Sequence, residues 1–436
     1  MKNIFTLKMK NIVEIKPIER PIDATVKVPG SKSYTNRALL IASLAKGKSH
    51  LSGALFSDDT DRMVDSLRKL GVSILADPEN CTFEVVGNGN DIPINQADLY
   101  IGNAGTAARP LVSYVALGNG RFRIDGDPPM RESRPIGDLL DALRKLGVEI
   151  RSELNNDRFP LIVEAKKLRG GKTRLNANKS SQFLTSLLMI APVTQLGIEI
   201  ELEGNLISKP YIDITISVMN AFGADVVNKD YHAFKVYGNQ TYKPRNYQIE
   251  PDASNASYFF ALAAVTGGRV RLENLSLNSV QGDIRFVNVL QEMGCQVISK
   301  DNATEVIGTN RLTGVDVDMN EISDTSLTLA AIAPFAEGKT TIRNIEHIRW
   351  QETDRIHAVV TELRKLGVNV TEYNDAIEIE PVSEILPAEI DTYHDHRIAM
   401  SFSLIGTKKP GIKIKNPGCV NKTFPTFFDV LAGLNQ

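Results

Sequence analysis

The chain has 436 residues, of which 42% are apolar and 23% charged, with a formal net charge of −2; this is ordinary globular composition, long enough for two or three domains. The near-neutral balance excludes a molecule that binds polyanions over its whole surface, so any anion must be held by a local cluster of cations. No apolar run reaches the roughly 18 residues of a membrane-spanning helix. Cys81, Cys295 and Cys419 are too far apart for a zinc or redox motif, and they fit a reducing, cytosolic setting.

In chain order, Met1 to Lys10 is short, basic and mixed, without the roughly 7–15-residue apolar stretch of a signal peptide; Met9 offers an alternative start. A strand is expected from Ile12 to Val28, stopping at Pro29-Gly30. From there a pattern recurs in which a helix-like stretch runs into glycine and then an alternating apolar strand. It reads DSLRKLGVSI, DALRKLGVEI, MNAFGADVV, LQEMGCQVI and ELRKLGVNV, with Gly71, Gly147, Gly223, Gly294 and Gly367 spaced 76, 76, 71 and 73 residues apart. Each glycine is expected to end an amphipathic helix in the left-handed conformation, where a side chain clashes. Helix-glycine-strand is common in any α/β protein, but the even spacing argues for repetition. A degraded sixth copy is VLAGLNQ at the C-terminus, with Gly433 a further 66 residues on. A period longer than the 20–50 residues or so of solenoids suggests six small α/β layers grouped as two domains of three. The polar stretch Thr241 to Tyr247 reads as a connection, as does Pro29-Gly30. One domain is therefore expected over 32–246 and a discontinuous one over 1–31 plus 247–436.

The motifs that carry chemistry are rich in glycine, hydroxyls and cations. Pro29-Gly30-Ser31-Lys32-Ser33-Tyr34-Thr35-Asn36-Arg37 opens a helix, where exposed N–H groups and the positive helix end suit an anion; a plain serine cap with solvated cations is the bland reading. It is not a nucleotide P-loop, because the glycine required before Gly47-Lys48-Ser49 is Ala42. In Gly102-Asn103-Ala104-Gly105-Thr106, small residues let a ligand approach the backbone, or simply make a tight turn. Pro135, after Arg131-Glu132-Ser133-Arg134, is expected to start the helix that runs to Gly147. Ser180-Ser181-Gln182 offers neutral donors at a helix start, and Ser208 with Tyr211 adds a hydroxyl and a phenol. Asp324 precedes an alanine-rich helix as a dipole-favoured carboxylate or a candidate base. Glu352 and Arg355, three apart, are expected on one helix face, as a surface ion pair or as site residues. Two histidines surround Asp395 in Tyr393-His394-Asp395-His396-Arg397, but no ligand spacing completes a metal site; neither a metal nor another cofactor is expected. Several of the cations Lys32, Arg37, Arg134, Arg355, Arg397 and Lys422 fall at helix starts, where a cation is unfavourable without an anion.

Together these motifs resemble the EPSP synthase family of enolpyruvyl transferases. GSKS-x-x-NRALL, GNAGTA-x-RP, SSQFLT-x-LLM-x-AP, SKPYIDIT, QGDIRF, ETDR, DHR-x-AM and KTFP follow in family order over about residues 12–430. The resemblance implies an α/β fold of two similar domains, each of three βαβαββ units as an inverse α/β barrel, with the ligand cleft between them and complete when they close. It implies a monomer that transfers the enolpyruvyl group of phosphoenolpyruvate to the 5-hydroxyl of shikimate 3-phosphate, on the route to aromatic amino acids. By motif position, Lys32, Gly105, Arg134, Gln182, Arg355, Arg397 and Lys422 would meet phosphoenolpyruvate. Lys32, Ser33, Arg37, Ser180, Ser181, Gln182, Ser208, Tyr211, Asp324, His347 and Gln351 would meet shikimate 3-phosphate. Asp324 would take the hydroxyl proton and Glu352, with Lys32, the proton at C3, while Asn103, Thr106, Asp395 and His396 support them. Glyphosate, a phosphoenolpyruvate mimic in that family, would compete, with Gly105 leaving room for it.

Two positions depart from the family pattern. Gln351 stands where a lysine is usual and His347 where an asparagine is usual, which removes one charge from the shikimate-phosphate side. The alternatives are the related transferase acting on UDP-N-acetylglucosamine, which usually carries a cysteine in the arginine loop where Asp127 to Pro135 has none, and a non-catalytic repeat scaffold, which would not explain the cations.

Overall fold

The computed structural model describes residues 11–434; Met9, the alternative start, and the last two residues of VLAGLNQ lie outside the described residues. The chain divides into two compact units, Pro29–Glu250 and the residues up to Val28 joined with those from Pro251 onward.

Pro29–Glu250 carries three four-stranded sheets of one topology. In strand order they are Asn246–Gln248, Lys46–Ser52, Thr82–Asn88 and Ser73–Asp77; Gln96–Tyr100, Asn119–Asp125, Leu161–Lys166 and Glu149–Ser152; and Gly171–Asn176, Ile198–Glu203, Ala233–Val236 and Val227–Lys229. In each, the first pair is parallel and the next two antiparallel. The helices Lys32–Leu44, Gly105–Val115 and Ser181–Ile190 are buried almost all round, because runs such as ALLIASL are apolar on every face. Leu39, Leu40 and Ile41 are fully enclosed, each contributing about 1.5–3 kcal/mol of burial. Helices such as Gly137–Lys145 are amphipathic, burying Leu139, Leu140, Ala142 and Leu143 and leaving their charges outside.

The other unit repeats the plan. Asp23–Val26, Arg269–Glu273, Ala303–Ile307 and Gln296–Lys300 form one sheet, and Asp316–Asp318, Thr340–Arg343, Ile377–Ile379 and Val370–Glu372 a second, again one parallel and two antiparallel pairs. The third has Ala388–Ile390 parallel to Ile412–Lys415, while the N-terminal Ile12–Glu14 pairs antiparallel on its other side. Ala253–Thr266, Ser326–Ile332 and His396–Lys408 are the buried helices.

The five repeat glycines all have positive φ, from 79° at Gly367 to 103° at Gly294, and each stands two residues beyond its helix end. Gly433 differs: it is the last residue of the helix Phe427–Gly433, and the sixth sheet is completed by Ile12–Glu14 instead. The expected strand from Ile12 to Val28 is two strands in different sheets, because Pro17 and Pro21 interrupt the ladder between them. The crossings fall at 28/29 and 250/251 rather than 31/32 and 246/247. The later one shifts because Asn246–Gln248 pairs with His50–Ser52 and so belongs with Pro29–Glu250.

Candidate active site residues

In Pro29–Glu250, Gly30 lets the chain enter the first helix against a neighbouring turn; a Cβ there would lie 1.9 Å from the Gly53 carbonyl oxygen. Ser31 donates its N–H to the Glu250 carbonyl at 2.8 Å, so Lys32 becomes the first helical residue. Buried Lys32 keeps its Nζ 3.5 Å from Asp59 Oδ2. Arg37, one turn further, is buried with neutral partners. Nε donates to Thr215 Oγ1 at 2.8 Å, Nη1 to the Ser33 carbonyl at 2.9 Å, and Nη2 to Thr185 Oγ1 and the Tyr211 carbonyl at 3.2 and 3.1 Å. Burial pushes its pKa down to about 10.

Ser180 caps the helix Ser181–Ile190 by accepting from the Gln182 amide at 3.2 Å. The buried Gln182 Oε1 has no hydrogen-bond partner among the described residues, an unmet acceptor of a kind that native interiors rarely leave. Ser208 is buried with φ +50°, and its carbonyl accepts the Tyr211 amide.

At the start of Gly105–Val115, Arg134 Nη1 donates to the Asn103 carbonyl and side-chain oxygens at 2.9 and 2.8 Å. A Cβ on Gly105 would lie 2.6 Å from Arg134 Nη2 and 2.3 Å from Arg109 Nη1, so the glycine is what lets both guanidinium groups lie over this turn. Arg109 Nη2 donates to the Pro135 carbonyl, and Asn36 ties the first helix to Thr106 Oγ1 at 2.8 Å. Pro135 does not start a helix as expected: a short helix Pro128–Glu132 precedes it and the next begins at Gly137, with Ile136 as cap. The Arg134 amide is fixed by the turn before it, its N–H donating to the Pro129 carbonyl.

In the other unit, charge is dense and compensated. Asp324 lies in the turn Asn320–Thr325 and accepts from Arg355 Nη1 at 3.0 Å and Arg397 Nη2 at 2.7 Å. Arg355, 1% exposed, also donates Nη2 to Glu352 at 2.8 Å and Nε to Asp395 at 2.7 Å, and it bonds the Gln351 side-chain oxygen. Three carboxylates hold it charged against burial. Glu352 is not on a helix, as its spacing suggested: Asp354 caps the helix that begins at Arg355, and Glu352 reaches back from the bend before it. The pair is buried, not a surface one. Lys422 Nζ stands 3.8 Å from Glu352, at the end rather than the start of the turn Pro417–Lys422. Asp395 caps His396–Lys408 by accepting the Arg397 amide at 2.9 Å, so one carboxylate fixes both arginines. His396 Nδ1 lies 3.6 Å from it.

His347 meets Ser323 Oγ at 2.8 Å, and burial pushes its pKa down to about 4, against the pull of Asp324. Gln351 turns its oxygen to Arg355, a contact the usual lysine could not accept. The sequence reading did not single out Asp59 or Asp283. Asp283 is buried beside Ser254, pushed up to about 7 by burial and by Asp324. Its only advance signal was its place in QGDIRF. Among the described residues no group of three or more His, Cys, Asp and Glu could hold a metal ion.

Comparison with known proteins gives consistent matches. The family model for EPSP synthase (3-phosphoshikimate 1-carboxyvinyltransferase) matches residues 16–431. The 3-phosphoshikimate 1-carboxyvinyltransferase of Trichormus variabilis is 53% identical over 416 residues, covering 95% of this chain and 97% of that protein. The Marinomonas sp. protein of the same name is 46% identical over 421 residues, covering 96% and 98%. A crystal structure of EPSP synthase from Acinetobacter baumannii superposes with a TM-score of 0.81 at 26% identity, covering 97% and 98%.

Proposed function

This chain belongs to the EPSP synthase (3-phosphoshikimate 1-carboxyvinyltransferase) family, and from that premise we propose a division of labour among its charged residues. The reaction transfers the enolpyruvyl group of phosphoenolpyruvate to the 5-hydroxyl of shikimate 3-phosphate and releases phosphate. Protonation at C3 of phosphoenolpyruvate leaves cationic character at C2, and the hydroxyl oxygen attacks there. The tetrahedral intermediate then loses a C3 proton as the C2–O bond to phosphate breaks, restoring the double bond.

Asp324 accepts the hydroxyl proton. Its carboxylate is held by Arg355 and Arg397, which leaves it oriented and ionised for that task. Glu352, together with Lys32, serves the proton at C3. Arg355, Arg397 and Lys422 hold the carboxylate and phosphate of phosphoenolpyruvate, with Gly105, Arg134 and Gln182; planar guanidinium forks suit both anions. Ser33, Arg37, Ser180, Ser181, Gln182, Ser208 and Tyr211 hold shikimate 3-phosphate, joined by Lys32, His347 and Gln351. The observation that carries this reading is the Asp324 carboxylate, bonded to two buried arginines. The unmet Gln182 oxygen adds support from the other unit, as does Arg37, which is held by threonine hydroxyls and backbone carbonyls. A monomer working in the cytosol is part of the same proposal; no helix among the described residues is long and apolar enough to cross a membrane, and all three cysteines are free.

Asp324→Ala and Glu352→Ala test the roles. Each is expected to lower kcat about 10²–10⁴-fold while binding of shikimate 3-phosphate stays within a few-fold in calorimetry. Parent-like turnover in both would contradict the assignment.

A further inference from the structure

The helix Arg355–Lys365 carries a second buried charge that the reaction as described does not use. Glu362 lies two turns beyond Arg355 and is fully buried. Its carboxyl oxygens take Lys365 Nζ at 2.8 and 2.9 Å, the Tyr393 hydroxyl at 2.7 Å and the Asp391 backbone N–H at 3.1 Å. Two of these partners belong to the segment that leads into Asp395. That segment is unusual: Tyr393 and His394 are consecutive non-glycine residues with φ of +53° and +55°, a conformation costing roughly 1–2 kcal/mol per residue. Both side chains are tied down, Tyr393 to Glu362 and His394 Nδ1 to Asn416 Nδ2 at 2.9 Å. The turn closes through the Asp395 N–H on the Thr392 carbonyl at 2.7 Å.

Helix and segment therefore meet at three points, Glu362 with Asp391 and Tyr393, Lys365 with the Asp391 carboxylate at 2.8 Å, and Arg355 with Asp395. The left-handed pair between them decides where the Asp395 carboxylate points, and that carboxylate orients Arg355 and caps the amide of Arg397. Burial raises the Tyr393 phenol pKa, and the bond to Glu362 raises it further, so it stays a donor. We propose that Tyr393 and Glu362 are positioning residues that hold the strained turn before Asp395 and thereby set Arg355 and Arg397 for phosphoenolpyruvate. The proposal rests on the assignment of those arginines to that substrate.

Tyr393→Phe deletes one hydroxyl and leaves Glu362 its lysine. Steady-state kinetics on the full-length variant are expected to show the KM for phosphoenolpyruvate raised about 5–10-fold, the scale of one hydrogen bond, with the KM for shikimate 3-phosphate within twofold of the parent. Lys365→Met is the structural control: it removes the ammonium shared by Glu362 and the Asp391 carboxylate but leaves the Tyr393 hydroxyl and the Asp391 N–H on Glu362, so it is expected to lower the unfolding midpoint while leaving both KM values parent-like. A parent-like phosphoenolpyruvate KM in Tyr393→Phe, equal rises for both substrates, or the same rise in Lys365→Met would overturn the proposal. Arg397→Ala separates this from the underlying assignment, since it raises the phosphoenolpyruvate KM if that assignment holds, whatever Tyr393→Phe does.

Discussion

Arg355 is surrounded by Asp324, Glu352 and Asp395, whereas Arg37 is surrounded by threonine hydroxyls and carbonyls. Removing one partner from a buried ion cluster leaves an uncompensated charge, so Asp395→Asn is expected to cost about 3–5 kcal/mol in urea unfolding. Gly105→Ala acts differently. Its methyl would fall 2.6 Å from Arg134 Nη2, and the guanidinium must shift. A several-fold rise in the phosphoenolpyruvate KM is expected, with little change in stability; an unchanged KM would show that Arg134 does not meet that substrate. His347 yields a pH prediction. Its unfolded pKa is 6.5 and burial lowers it to about 4, so between those values the unfolded chain binds a proton that the fold refuses. Its effect is absent above about pH 6.5, and stability falls as pH drops from there toward 4. Asp283, raised to about 7, slopes the opposite way, losing stability as pH rises toward 7. Thermal unfolding of His347→Asn across this window is therefore expected to lack the His347 component of the acid-side loss; a parent-like slope would contradict it.

Among the elements, the repeat glycines were legible because a left-handed helix end demands one residue type at one offset. Gly147 isolates that demand: φ is +89° and a Cβ would meet nothing within 4 Å. Gly147→Ala is expected to cost about 1–2 kcal/mol from backbone conformation alone, and Gly147→Asn less, measured by denaturant unfolding. Helix starts at Lys32 and Ser181 were legible for a similar local reason, a glycine or serine before an apolar run. Other features were hidden because their cause is distant in sequence. Asn246–Gln248 has no alternating pattern of its own and is a strand only because His50–Ser52 lies beside it. Pro135 looked like a helix start, but the preceding turns already fix its backbone. Glu362 sits in ELRKLG as an ordinary surface glutamate would, and nothing local reveals that Tyr393 and Asp391 cover it.

At the scale of the molecule, five four-stranded sheets repeat one plan and a three-stranded sixth varies it, and in each unit a terminal or returning strand completes a sheet. Ile12–Glu14 does this on Ile412–Lys415, and Ile15 packs where a Cβ on Gly406 would lie 2.5 Å from its own. Removing residues 1–15 would open that edge and uncover the helix His396–Lys408. A lower unfolding midpoint and a tendency to aggregate are expected; parent-like stability would show that the strand only decorates the sheet. The cations that composition could not reveal, at a net charge of −2, are grouped within each unit around the residues assigned to the reaction. The most direct measurement is phosphate release by the purified full-length chain. Release is expected only when phosphoenolpyruvate and shikimate 3-phosphate are both supplied, without added metal. Release from phosphoenolpyruvate alone, or none from folded protein with both, would contradict the account.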